Sequence, residues 1–506
     1  MSLSAFLTME KVSLWSSIFL VAGATYLVTY VMSQKALSRI PMIGLELGNQ
    51  KQREKIFLGR AKLLLQQGYN KFKKNGIFRI TTAEGTRVII NRKFLNEIRD
   101  MPDNVISFEG ALEETLETKY TTIPAEEYLT THCVKADLTP SLARLTGTID
   151  DEVKYGIDTE LPQSEDWTPI KLGPRLLRII AMVSGRVFIG PDHCRDETWI
   201  KIAVDYTLNV FAGQRAIKSW RPIWRPFVYR FLPEIKQIHV HREDARKILV
   251  PIVQQRKAMQ GKWGNNKPDD MMQWMLEKAD AWNVKGDDRQ AFQQLNLTMA
   301  AIHTTTMTVT QILYDLAAMP EYVQPLRDEL NEALVQFGGE FDKRVLSKLH
   351  LLDSFMKESQ RYNPLGFTSF RRKVRRGVSL SDGTYLPTGV TIEVPSHAIA
   401  FDPELYPEPQ KFDGYRFYNM RKSGAKDADR HQFVAIAPGS LHFGYGKHAC
   451  PGRFFAANEI KLILANILLK YDLGITNPEE GRYKNIEFAH QNIPDPRKDL
   501  LFKRVA

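Results

Sequence analysis

Cysteine is scarce in this chain of 506 residues, which has only Cys133, Cys194 and Cys450. Three is odd, few and widely spaced, which argues against a disulfide framework and fits a reducing compartment. No Cys-x-x-Cys pair occurs, so a structural zinc site has no support. Runs of five or more basic residues are missing too. The formal charge of +11 therefore points to an anionic membrane surface or an acidic partner and not to nucleic acid. Internal repeats and low-complexity linkers are also lacking. With 43% hydrophobic and 25% charged residues, the chain can bury a sizeable core and is not broadly disordered.

Charge itself is absent from one stretch, residues 12–32, VSLWSSIFLVAGATYLVTYVM. As a helix those 21 residues would span about 30 Å, the thickness of a bilayer core. Lys35, Arg39, Lys51 and Arg53 follow the stretch, while only Glu10 and Lys11 stand close before it. The positive excess predicts that the bulk of the protein is cytosolic. Ala22-Gly23-Ala24 resembles a signal-peptide cleavage site, but the apolar character continues past it and the preceding region is poorly basic. The expected organisation is a short tail at 1–11, a transmembrane anchor at 12–32, a linker at 33–50 and one large domain at 51–506.

That domain reads as mainly α with small β-sheets. Strands are expected at Phe78–Ile80 and Arg87–Ile90 around Glu84-Gly85, and a second small sheet between Arg371 and Pro395. Amphipathic helices are expected over Trp199–Phe211, Pro233–Gln260, Asp287–Met319 and Tyr322–Gln336. The steady strand–helix alternation of a doubly wound fold is missing.

The segment FGYGKHACPGRFFA, residues 443–456, carries the chemistry. Its G-x-G-x-x-A lacks the strand and acidic residue of a dinucleotide site, and no Lys-Ser/Thr pair completes a P-loop. A packing cysteine is the plain reading. A ligand is the other. Pro451 opens a helix running to about Tyr471, whose N-terminal N–H groups and dipole favour a thiolate at Cys450. Gly444 and Gly446 allow a tight turn around the sulfur, and Gly452 leaves room for a flat cofactor. Phe443 can shield the site from water. A lone thiolate without a catalytic base suits an axial ligand to haem iron.

Phe443-x-x-Gly446-x-His448-x-Cys450-Pro451-Gly452 resembles the haem-binding signature of the cytochrome P450 monooxygenases. The resemblance implies that Cys450 is the axial thiolate and that His448 reaches a haem propionate. Two further motifs match. Glu358-Ser-Gln-Arg361, alone most simply an exposed salt bridge, lies 89 residues before Cys450, at the family's spacing. Pro409–Phe417 resembles the family's third motif, which implies a buried triad of Glu358, Arg361 and Arg416 that holds the fold and does no chemistry.

Ala300-Ala301-Ile302-His303-Thr304-Thr305 resembles the family's distal helix, which opens locally beside the haem. There the resemblance implies that Thr304 delivers protons. His303 occupies the usual acid position; an imidazole can still relay protons. Back-bonding to the preceding turn is the alternative role for these threonines. The family's W-x-x-x-R is absent near residues 135–155. Lys135 or Arg144 could replace its propionate contact, and Arg372 is the propionate candidate by resemblance. Ala300, Ala301 and the loop at Leu365, Gly366 and Phe367 are the substrate-facing candidates.

The resemblance covers the whole chain and is most similar to fungal secondary-metabolite members that oxidise terpenoids and indole-diterpenoids. It implies haem b as cofactor and O2 as co-substrate. It implies electrons from NADPH through NADPH–cytochrome P450 reductase, with cytochrome b5 as a further donor. It implies an endoplasmic reticulum membrane location, a hydrophobic substrate and no nucleic acid. Lys447, Arg453 and Lys461 are candidates for the reductase-docking face, or plain solvated charges. A reductase-independent haem-thiolate isomerase or dehydratase, and a non-catalytic haem-binding membrane protein, are the alternative readings.

Overall fold

Along the central helix of the molecule, Ile302, Thr305, Val309, Ile312 and Leu316 recur every three or four residues and are all buried. That spacing places them on one stripe, and burying the stripe holds a 32-residue helix in place. The computed structural model describes residues 21, 23–25, 27–29, 31–125, 127–424 and 428–505. The ten principal helices are α1 (Gln50–Lys71), α2 (Phe108–Leu116), α3 (Thr139–Glu160), α4 (Leu172–Phe188), α5 (Glu197–Lys218), α6 (Pro233–Ala258), α7 (Asp287–Ala318), α8 (Val323–Phe337), α9 (His350–Tyr362) and α10 (Arg453–Lys470). The central helix, α7, packs against α4, α5, α6, α9 and α10. Each expected helix lies within or close to one of these. Asn49 and Gln52 close α1 with a reciprocal capping box.

The expected hairpin is present as β1 (Ile77–Thr82) and β2 (Gly85–Ile90), antiparallel with Ile80 opposite Arg87. Of the segment 371–395 only Val378–Ser379 and Tyr385–Leu386 form a small sheet of their own. Its main strands join the hairpin in a five-stranded sheet that also contains β3 (Ile106–Ser107). Before them in the chain lies β4 (Thr168–Lys171), which belongs elsewhere; then come β5 (Ser369–Val374), β6 (Val378–Ser379), β7 (Tyr385–Leu386) and β8 (Thr391–Val394). The order in the sheet is β1-β2-β8-β5-β3, with β2 and β8 parallel. Thr391, Ile392, Glu393 and Val394 are all buried, so β8 is stable only as an interior strand. β6 and β7 pair separately. Four further strands near the C-terminus and β4 complete two small sheets.

The expected tail at 1–11 and most of the anchor at 12–32 lie outside the described residues. Among the described residues no helix is long and apolar enough to cross a membrane. The 33–50 linker is not a loose tether. Leu37, Ile40 and Ile43 are buried, the Arg79 N–H donates to the Pro41 carbonyl at 2.7 Å, and the Ile43 N–H donates to the Arg79 carbonyl at 3.0 Å. The packed body therefore starts near Leu37, ahead of the expected boundary at 51.

Candidate active site

The loop before α10 turns twice on glycine. Gly444 and Gly446 adopt φ of +76° and +74°, where a side chain is strained. At Gly446 a Cβ would also come within 2.8 Å of the Arg99 Cβ. These turns bring the Cys450 N–H to the Phe443 carbonyl at 2.7 Å. Phe443 itself is fixed edge-on against Phe433, with ring centroids 5.4 Å apart. The helix starts at Arg453, a little later than Pro451 implied, because Pro451 and Gly452 complete a turn. Cys450 thus stands just before a helix N-terminus.

Burial pushes the Cys450 thiol up, while the N–H groups of Gly452 and Arg453 and the Arg453 guanidinium pull it down. The side chain is exposed, but the space it opens onto is an internal cavity. Partial desolvation explains why the upward push wins in the thiol's own right; a coordinated metal would remove the proton outright. Cys133 and Cys194 are both buried, and burial raises them to about 12 and about 11, as expected of inert packing thiols.

The cavity holds about 1020 Å³ of atom-free space, part of it open to solvent. Its wall brings together Cys450 and Phe443 from the loop, Ala300 and Thr304 from α7, and Leu365 and Gly366 from the segment after α9. A Cβ added at Gly452 would meet nothing within 4 Å, which leaves a smooth face beside the sulfur. Thr304 Oγ1 donates to the Ala300 carbonyl at 2.9 Å, and Thr308 Oγ1 donates to that of Thr304 at 2.8 Å. The helix is continuous here, with no local opening. Thr304 nevertheless faces the cavity, and its hydroxyl oxygen remains free to accept.

Three candidates lie away from this wall. His303 shares a hydrogen bond of 3.0 Å from Nε2 to the Val204 carbonyl on α5, and burial lowers its pKa. It faces another helix, so it does not stand in the cavity as a proton relay. Phe367 is fully buried edge-on against His397, and Ala301 packs against the helical core. The absence of both from the cavity wall corrects their assignment as substrate-facing residues.

Arg372 and His448 converge on Phe108. The arginine lies 5.2 Å from that ring and 4.1 Å from Phe370, and the imidazole stacks on Phe108 at 5.1 Å. Burial draws Arg372 down to about 10, opposed by Asp103. Its Nη1 donates to the Arg371 carbonyl at 2.8 Å, and its Nη2 has no partner. A buried guanidinium with an orphaned N–H calls for an anion. His448 Nε2 lies 2.9 Å from Asp103 Oδ1. A cofactor with carboxylate arms and an iron for the thiol fits these residues. Arg144 does not belong to the set: it is exposed and bound bidentately to Asp269 at 2.7 and 2.6 Å. Lys135 is exposed on a helical turn.

The Glu358 carboxylate is fully buried. Arg361 meets it bidentately at 2.8 and 2.7 Å, and Arg416 Nε reaches both of its oxygens at 3.2 Å. The remaining guanidinium N–H groups go to carbonyls: those of Ala400 and Pro409 for Arg361, and those of Pro407 and Lys411 for Arg416. Of the expected docking cations, Lys461 is largely buried against Asp353 at 2.7 Å. Arg453 Nη1 donates to the Cys450 carbonyl, and Lys447 pairs with Asp103. His442, on the cavity wall and driven down to about 3 by burial, has no motif that marks it beforehand.

The family model for cytochrome P450 matches residues 185–496. The chain belongs to the cytochrome P450 family. It is 36% identical to the cytochrome P450 monooxygenase braC of Annulohypoxylon truncatum over 92% of this chain and 93% of that one. It is 34% identical to the cytochrome P450 monooxygenase paxP of Penicillium paxilli, over 89% and 87% of the two chains. It is 35% identical to the ent-kaurene oxidase of Gibberella intermedia, over 94% and 90%. The protein is therefore a P450 monooxygenase, and membership of this family implies a haem-iron cofactor. The cavity with its single thiol, and outside its wall the orphaned Arg372 guanidinium and the open Cβ side of Gly452, suit such a group.

Proposed function

We propose that this P450 is a membrane-anchored monooxygenase of the endoplasmic reticulum that oxidises a hydrophobic substrate, a terpenoid or indole-diterpenoid of fungal secondary metabolism. Its electrons come from NADPH through the P450 reductase, with cytochrome b5 as a further donor. The uncharged run at 12–32 is its anchor, and the chain from about Leu37 onward forms its catalytic domain. When bound, the haem supplies the oxygen-activating redox chemistry. The chain's own residues do the rest. Cys450 holds the iron through its sulfur, aided by the N–H groups of Gly452 and Arg453. Arg372 and His448 receive the propionates, Gly452 leaves the porphyrin face clear, and Phe443 keeps water from the sulfur. Ala300 and Leu365 bound the substrate's space, and Thr304 passes protons into the cavity. The enzyme names of similar proteins support the substrate class: an ent-kaurene oxidase is among them.

The observation that carries this reading is one thiol, Cys450, and Thr304 of α7 on the wall of the same cavity. Replacing Cys450 with alanine tests it. The expected outcome is loss of the red-shifted Soret band of the reduced carbon monoxide complex that marks thiolate ligation. Persistence of that band in the variant would overturn the ligand assignment. Product formation from a terpenoid panel beside a fungal reductase, read by mass spectrometry, tests the substrate class.

A further inference from the structure

Where the leading segment meets the body there is a groove that the proposed chemistry does not use. Residues 31–38 are helical and end in a turn at Arg39. Ala36 lies three and four residues after Ser33 and Met32, so these three share one helical face. That face forms one side of the groove, and Tyr385 of β7 with Thr388, Gly389 and Val390 forms the other. The groove holds about 2030 Å³ of atom-free space, part of it open to solvent, against about 1020 Å³ for the cavity at Cys450. Met32, Ala36, Leu37 and Val390 give it an apolar lining. A Cβ added at Gly389 would meet nothing within 4 Å, so that side stays open.

Two cations, Lys35 and Arg39, also line the groove, and no Asp or Glu does. Both are exposed, and neither side chain has an acidic partner among the described residues. Tyr385 is exposed beside them, and its hydroxyl has no hydrogen-bond partner among the described residues. Lys35 and Arg39 stand three and seven residues after the uncharged run ends at Met32. In a chain anchored by that run they lie at the headgroup level of the cytoplasmic leaflet, which carries the anionic lipids. Orientation by positive charge would account for the two cations, but not for an apolar groove between them and β7.

We propose that this groove is a binding site for an anionic phospholipid. Lys35 and Arg39 hold the headgroup phosphate, the Tyr385 hydroxyl donates to it, and an acyl chain lies along Met32, Ala36, Leu37 and Val390. A free phosphate shares only the headgroup chemistry and leaves the apolar lining unfilled.

This site rests on the reading of 12–32 as a membrane anchor. Flotation of the full-length protein with phosphatidylcholine vesicles tests that reading by itself. The site is read separately, in detergent micelles carrying equal amounts of phosphatidylcholine and phosphatidylserine, where binding needs no span. Native mass spectrometry of the full-length protein should show phosphatidylserine retained in preference to phosphatidylcholine. Lys35→Gln/Arg39→Gln should lower that retention about tenfold. Ala36→Trp, which fills the apolar part and keeps both charges, should lower it as well. Lys51→Gln/Lys55→Gln removes two exposed cations of α1 that lie outside the groove and should leave retention unchanged. An excess of inorganic phosphate should not displace the lipid. The first glutamine pair changes only exposed side chains, so it decides the matter even if Ala36→Trp fails to keep the wild-type thermal midpoint. Equal retention of the two lipids by wild type, equal loss in the two glutamine pairs, undiminished retention in a folded Ala36→Trp, or displacement by phosphate overturns the site.

Discussion

Glu358 takes part in four hydrogen bonds with two arginines while wholly out of water. A buried ion of this kind is tolerable only because every lone pair and N–H finds a partner. Removing one partner leaves the others stranded. Arg416→Ala is therefore expected to cost about 3–5 kcal/mol, by analogy with other broken buried pairs. The check is the urea midpoint together with haem content, both of which should fall. Arg416→Lys should rescue little, because an ammonium cannot reproduce the contacts to Glu358 and to the carbonyls of Pro407 and Lys411 at once. The residues of the triad were legible beforehand because motif spacing brings them together. The Arg372–Phe108–His448 cluster was legible only in part: its two charged members match motifs, but the ring between them comes from a distant helix.

At the scale of elements, the loop before α10 and the helix α7 set the geometry. Two glycines in that loop give opposite expectations. Gly446→Ala places a side chain at positive φ and against Arg99, so the protein should lose stability before any cofactor is added, by about 1–3 kcal/mol. Gly452 has ordinary backbone angles and open space on its Cβ side. Gly452→Ala should leave the thermal midpoint of the haem-free protein unchanged and weaken haem retention, measured by transfer to apomyoglobin. Equal effects on both quantities in both variants would mean that neither glycine reports on a bound planar group. Helix α7 was foreseen in extent but not in detail. Its threonines bond back to carbonyls one turn earlier, and its histidine turns outward because Val204 offers an acceptor that no local pattern reveals. The strands were misgrouped for a similar reason. Alternation reveals that 391–394 is a strand, but only tertiary contacts show that its parallel neighbour is the hairpin near residue 88.

For the whole molecule, the boundary between leader and body decides what can be removed. A protein starting at residue 36 keeps Leu37, Ile40 and Ile43 in their buried places and should retain the full-length thermal midpoint while shifting from membranes toward the soluble fraction. One starting at residue 49 loses all three and should unfold at lower temperature. Equal midpoints for the two truncations would mean that the contacts of 37–43 add nothing to stability. The exchange of backbone hydrogen bonds among Pro41, Ile43 and Arg79 has one more effect. It bolts the exit of the N-terminal segment to the edge of the first sheet and leaves no free swivel between them. Any displacement of residues 37–43 is therefore passed directly to the β-hairpin.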